Sequence, residues 1–313
     1  MVFHHCRAEL IEVFGINDHG DIVGAFESPS GLLHAFRWNN GVMFDLTPGS
    51  AVHSIAFDIN NARQIVGQLG DGTSTINNGQ QIAFLWENEI LNQIGLSRSS
   101  VFSINEHGFF IVNENHGSGG PIVRGINNLG DYVGWASGYA TLNGDPLPSS
   151  LGLGFAYAVN DRREIVGFTY ANTHNPVPLP TLWLNGDDHI LSEREGRAIA
   201  INNHGHIVGE SEGRAFVYTL ADHNFRYLDD VVDGLSIPLI SARAINDSGE
   251  IATFGSDRVS YLLTPNDAGS MGFSISGTIN TDSLTPPLVV PEINELIAFL
   301  FGITFCWYIH CRN

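Results

Sequence analysis

Apolar residues fall along this chain in short runs broken by glycine- and asparagine-rich turns, a pattern that predicts β-strands and hairpins rather than helices. The runs repeat. Seven segments align on an apolar residue followed by Asn: Ile16-Asn17, Ile59-Asn60, Ile104-Asn105, Ile126-Asn127, Val159-Asn160, Ile201-Asn202 and Ile245-Asn246. Their shared form is φ-N-x-x-G-x-I-V-G, with φ apolar, and this many near-copies mark a repeat architecture. Each copy reads as a hairpin. The Asn opens a turn because its side chain can bond its own backbone. A Gly three residues on suits a left-handed position. A β-branched pair such as Ile22-Val23 starts the return strand. The closing Gly, as at Gly24, Gly67, Gly134, Gly167 and Gly209, predicts a bulge or a close backbone approach.

A looser motif follows in several copies: Ala35-Phe36-Arg37-Trp38, Ala83-Phe84-Leu85-Trp86 and Ala215-Phe216-Val217-Tyr218. Aromatics two apart share one strand face, so this is a third strand with a packed aromatic side. A fourth strand follows in places, as in Val42-Met43-Phe44-Asp45. Four short strands in forty-odd residues match the blade of a β-propeller.

The spacings between successive Asn residues are 43, 45, 22, 33, 42 and 44. Four of them match one blade each. The two short ones together cover 55 residues, from Asn105 to Asn160, and are read as one blade built of two hairpins followed by a loop over 137–152. The expected fold class is therefore all-β: a single β-propeller of six blades, near 10–46, 52–95, 101–136, 153–192, 197–230 and 241–264. A ring of seven is the alternative. The last blade shows three strands, and residues before Leu10 are expected to supply its fourth and close the ring, since an open array would leave strand edges exposed.

The strand before each Asn is rich in small residues, such as Ala156 and Ala158, Ala198 and Ala200, Ala242 and Ala244, which places it innermost, where space is short. The Asn turns then share one face, and the longer connections near 25–33, 69–80, 137–152 and 170–180 the other. Loops carry function more often than tight turns. Trp135, Tyr139, Tyr170, His174 and Asp71 border that face and are the candidate ligand-binding residues.

Past Thr264 the repeat stops. The domain reading is a propeller over 1–264, a Pro-, Gly- and Ser-rich linker over 265–291, and an apolar segment over 292–313. The run LIAFLFGITFCWYI at 296–309 predicts a short C-terminal helix with no polar face. As a helix it would span about 21 Å, short of a ~30 Å hydrocarbon core, so it offers a membrane or sorting contact rather than an ordinary span.

Composition narrows the function classes. Of the 313 residues 43% are hydrophobic, enough for a large core. The net charge of −19 repels nucleic acid and anionic lipid, leaving a protein or a glycan as the expected partner. Cys6, Cys306 and Cys311 lie outside the repeats, so no disulfide framework supports the fold. The N-terminal stretch has no basic region followed by a long apolar run, so it is not a signal peptide as written; the expectation is either a cytoplasmic chain or a start that lies further upstream.

Catalytic signatures for acyl transfer, zinc proteolysis, phosphate or dinucleotide binding are absent from the sequence. The stretch from Asn17 to Asp21 lacks the alternating acidic spacing of a calcium loop, and other copies carry Ala62-Arg63 or Arg162-Arg163 there. No metal, cofactor or catalytic residue is therefore assigned.

The repeat, together with His34-Ala35-Phe36-Arg37-Trp38, resembles the bacterial HAF repeat, over about residues 10–264. That resemblance implies an extracellular, propeller-like array. The motif His occurs only at His34, with Ile82 and Arg214 at the equivalent positions, which argues against a repeated His ligand. The tail, with Pro291-Glu292, an apolar run and Arg312, resembles a PEP-CTERM sorting signal, implying export and processing at the cell envelope. The function expected is a non-enzymatic binding or scaffold module; the alternative is a glycan-active hydrolase or lyase with acidic groups at the propeller axis.

Overall fold

The computed structural model describes residues 10–70, 81–114, 120–171, 176–266 and 272–284. Each Asn motif opens an antiparallel meander. Blade 1 comprises β1 (Ile11–Ile16), β2 (Ile22–Glu27), β3 (Leu33–Asn39) and β4 (Val42–Asp45). Blade 2 comprises β5 (Ser54–Ile59), β6 (Ile65–Leu69), β7 (Ile82–Glu87) and β8 (Ile90–Gln93). A two-stranded sheet of β9 (Ser99–Ser100) and β10 (Asn113–Glu114) follows. Blade 3 holds β11 (Ile122–Ile126), β12 (Tyr132–Ala136), β13 (Tyr139–Leu142) and β14 (Asp145–Pro146). Blade 4 holds β15 (Gly154–Val159), β16 (Ile165–Tyr170), β17 (Pro178–Leu184) and β18 (Asp187–Ile190). Blade 5 holds β19 (Gly196–Ile201), β20 (His206–Ser211), β21 (Arg214–Thr219) and β22 (Asn224–Tyr227). Blade 6 starts from β23 (Val232–Asp233) on its outer edge and is built from β24 (Leu239–Ile245), β25 (Ile251–Gly255), β26 (Ser260–Pro265) and β27 (Phe273–Ile279).

Six sheets of four or more strands thus stand in a ring as a six-bladed β-propeller. The expected pairing of the third and fourth motifs in one blade does not hold. Blade 3 is complete by itself, because β13 and β14 occupy 139–146, where a loop was expected. The third motif keeps only the β9–β10 pair and one bridge, Ile104 to Phe110. It packs on blade 2 through Val101 and Ile104 against Val66 and Ala83. It joins blade 3 through Asn113, whose amide bonds both the carbonyl (3.0 Å) and the N–H (2.6 Å) of Val123.

Closure also differs from expectation. The fourth strand of blade 6 is β27, from the stretch read as a linker, and the propeller extends to Leu284, which bridges Met43. The ring shuts by packing: Ile11, Ile22 and Trp38 of blade 1 share a core with Ala252, Leu262 and Ile279 of blade 6. Residues 1–9 and the predicted helix at 296–309 lie outside the described residues.

The core is a series of wedges between neighbouring blades. The third-strand aromatics Phe36, Phe84 and Phe216 are fully buried in them. The motif glycine is explained by proximity: a Cβ on Gly24 would lie 1.9 Å from the carbonyl oxygen of Glu12, and one on Gly134 1.8 Å from that of Ile122. In blade 6 this position is Thr253. Its hydroxyl donates to the Ser241 carbonyl at 2.9 Å, and the inner strand there carries a second register shift, between Leu239 and Ser241.

Candidate functional site

The inner strands surround an axial channel, as their small residues predicted, and its two ends are built differently. At the turn end the motif Asn residues follow one plan, with two turn N–H groups accepted in five motifs and one each at Asn60 and Asn246. Each Oδ1 accepts from the backbone of its own turn, as Asn127 does from Leu129 (3.1 Å) and Asp131 (2.8 Å). Each Nδ2 donates to the backbone carbonyl of the next motif's Asn. These links run Asn17 to Asn60, Asn105, Asn127, Asn160, Asn202 and Asn246, and Asn246 returns to Asn17 at 2.9 Å. A carboxylate could accept but not donate, so only an amide serves both the turn and the neighbour.

One residue further, a second cycle runs through Asp18, Asn61, Glu106, Asn128, Asp161, Asn203 and Asp247. Each backbone N–H donates to the next side-chain oxygen at 2.8–2.9 Å. Desolvation, with Asp18 and Asp247 nearby, pushes the Glu106 carboxyl up. Both cycles surround a space of about 170 Å³.

Above the Asn cycle the channel is lined by Ile16, Ile104, Ile126, Val159, Ile201 and Ile245. Then every full blade carries a β-bulge at one place. The register shifts between Val13 and Gly15, Ala56 and Asp58, Val123 and Gly125, Ala156 and Ala158, Ala198 and Ala200, and Ala242 and Ala244. A bulge re-aims the extra side chain. The extra residues are Phe14, Phe57, Arg124, Tyr157, Ile199 and Arg243, and Phe102 stands at the same place in the short third motif. All seven line the channel. They form the floor of a cavity of about 800 Å³ toward the opposite face, walled by Glu12, Ile55, Trp135, Arg197 and Glu210 among others.

The floor is aromatic on one side. Phe14 and Phe57 meet edge to face at 5.6 Å, Phe57 and Phe102 lie 4.8 Å apart, and the Arg124 guanidinium sits 4.0 Å from the Phe102 ring centroid. On the wall Arg197 is paired with Glu210 at 2.7 Å. Asp58, beside the bulge of blade 2, accepts from the Ser103 hydroxyl (3.0 Å) and the Ile104 N–H (2.9 Å), tying the short third motif to blade 2. Its desolvation pushes the carboxyl up to about 6.

Of the residues proposed from sequence, Trp135 lies on the cavity wall. Tyr139 is exposed at the start of β13, and Tyr170 ends β16 with its ring against Phe168 at 5.1 Å; neither lines the cavity. His174 and Asp71 lie outside the described residues. His34 is a buried partner of Asp45 (2.8 Å), a contact within blade 1. Among the described residues no group of three or more His, Cys, Asp or Glu side chains is placed to hold a metal ion. The floor residues escaped sequence reading, although a signal existed: they occupy the position three before each Asn, which varies in chemistry while its neighbours repeat.

No protein-family model matches the sequence, and neither does any curated protein. Among solved structures the chain is similar to an Aleuria aurantia lectin in complex with Fucalpha1-6GlcNAc, at 12% identity and a TM-score of 0.47, covering 90% of this chain and 97% of that one. It is also similar to the extracellular domain of a one-component system from B. thetaiotaomicron, at 11% identity and a TM-score of 0.47, covering 84% of this chain and 39% of that longer one. The RRP9 WD40 repeats match at 10% identity and a TM-score of 0.42, covering 86% and 81%.

Proposed function

We propose that this protein is a non-enzymatic binding module, of the cell envelope or extracellular space, whose ligand enters the wide axial cavity. One observation carries the reading. The blade frame repeats, yet the bulge position aims an aromatic side chain at the axis in some blades, a cation in others and an aliphatic one in blade 5. Structural need explains the frame; a ligand explains the variety on the floor. The volume of about 800 Å³ suits a small molecule, a glycan terminus or a short protein segment. The envelope or extracellular setting rests on the HAF and PEP-CTERM resemblances.

A hydrolase or lyase would need free carboxyl groups facing the substrate. Asp58, the cavity-region carboxyl raised toward neutrality, is committed to Ser103 and Ile104, and Glu210 to Arg197, while Glu12 and Glu114 stand on the cavity wall rather than on its floor. The test is a glycan array probed with the labelled chain. The expected result is binding to a narrow set of glycans that Phe57→Ala and Phe102→Ala abolish. Binding indifferent to both changes would remove the axial site, and release of new reducing ends from a bound glycan would establish the enzyme instead.

A further inference from the structure

Two floor residues are cations with no anion among the described residues. Among the described residues Arg124 makes ring contacts, with Phe102 and, at 5.8 Å, Phe155, and its buried Nε has no hydrogen-bond partner there. Arg243 stands on the same ring, three places further round, and enters no ion pair among the described residues. Several other arginines find carboxylates: Arg63 reaches Asp21, Arg163 reaches Asp131, Arg197 reaches Glu210 and Arg214 reaches Asp229. In a chain of net charge −19 two unpaired, part-buried guanidinium groups facing one cavity need a reason. A guanidinium does not shed its proton at physiological pH, so its desolvation must be met by a ring face or by an anion.

We infer, resting on the binding-module reading, that the cavity floor takes a ring-bearing monocarboxylate, with the carboxylate between Arg124 and Arg243 and the ring on Phe14, Phe57 and Phe102. Guanidinium forks match a carboxylate in geometry, and aromatic faces accept the flat apolar side of a sugar or an arene. The rim refines the choice. Glu12 and Glu114 line the cavity but not the channel below, so they stand above the floor. They disfavour a second negative charge and suit a neutral, hydroxyl-bearing remainder. An acidic sugar terminus has this distribution, anionic at one end and hydroxylated at the other.

The test is calorimetric titration of the full chain with D-glucuronate and benzoate, with D-glucose and benzyl alcohol as neutral counterparts, and with inorganic sulfate as an anion without a ring. Both acids are expected to bind about tenfold or more tightly than their neutral counterparts, with sulfate weaker than either acid. Arg124→Met and Arg243→Met are each expected to lower acid affinity about tenfold. Circular dichroism and thermal unfolding verify the fold of each variant. Arg124→Lys, which keeps the charge without the fork, is expected to fall between wild type and Arg124→Met. Equal affinity for acid and neutral probes, full acid affinity in the double Met variant, or no acid binding at all would overturn the inference. Glucose binding that depends on Phe57 and is as tight as glucuronate binding would overturn it while leaving the binding module standing.

Discussion

The two ends of the axial channel are made by the same strands to opposite rules. At the turn end the same residue, Asn, recurs in every motif and follows one bonding plan; at the cavity end the side chains are Phe, Phe, Phe, Arg, Tyr, Ile and Arg. On β11 the two rules are only three residues apart, at Arg124 and Asn127. The first meets ring faces but no carboxylate among the described residues; the second satisfies two N–H groups and a neighbour's carbonyl. Repetition here marks where the molecule must hold itself, and variation marks where the frame leaves a residue free.

That contrast can be broken by experiment, and the largest effect should come from the frame. Gly134→Ala sets a methyl 1.8 Å from the Ile122 carbonyl and should cost about 4 kcal/mol, or prevent folding, in a denaturant titration. Thr253→Gly, at the position that already accommodates a side chain, should cost only about 1 kcal/mol. Asn127→Ala should follow at about 3 kcal/mol, since it strands several buried backbone groups together.

Asp58 gives a pH signature. Its folded carboxyl lies at about 6, above the unfolded range near 4, so the native state holds the proton more tightly between these limits. Its contribution is therefore largest in acid and lost as pH rises toward 6, on the order of 2 kcal/mol. Stability measured against pH should show this decline in wild type, and the decline should be absent in Asp58→Asn. The smallest effect should come from the floor. Arg124→Met should change stability by less than about 1 kcal/mol, in either direction, because it exchanges an unpaired cation for an apolar chain. A loss equal to that of Asn127→Ala would erase the distinction between the two ends.

The hairpins, the inner position of the small-residue strands, and the close approach at Gly24 and its equivalents all follow from local patterns; the count of six was also reached, but through a merged third blade that the structure does not contain. A tight turn or a forbidden Cβ is decided by residues near in sequence. What failed depended on distant partners. Residues 273–279 contain Ser, Gly and Thr and resemble a linker alone, yet they pair with β26. The short third motif was misassigned because Asn113, not a strand, makes its join to blade 3. The second task of the motif Asn, its donation to the neighbouring turn, also needs the closed ring to be seen. The floor was missed for a related reason: alternation puts Phe14 on one strand face with Glu12 and Ile16, and Arg124 with Ile122 and Ile126, but only the closed ring shows that this face is turned to the axis.

The closed circuit of asparagines separates two quantities that strand counting merges. Outer strands set how far each spoke reaches, while the amide-to-carbonyl links set how many seats the hub has. The third motif has given up most of its spoke and kept its seat at Asn105. Deleting it outright would require Asn60 to reach Asn127 across a hub drawn for one more member, so a unit of this kind can wither in place far more easily than it can be removed.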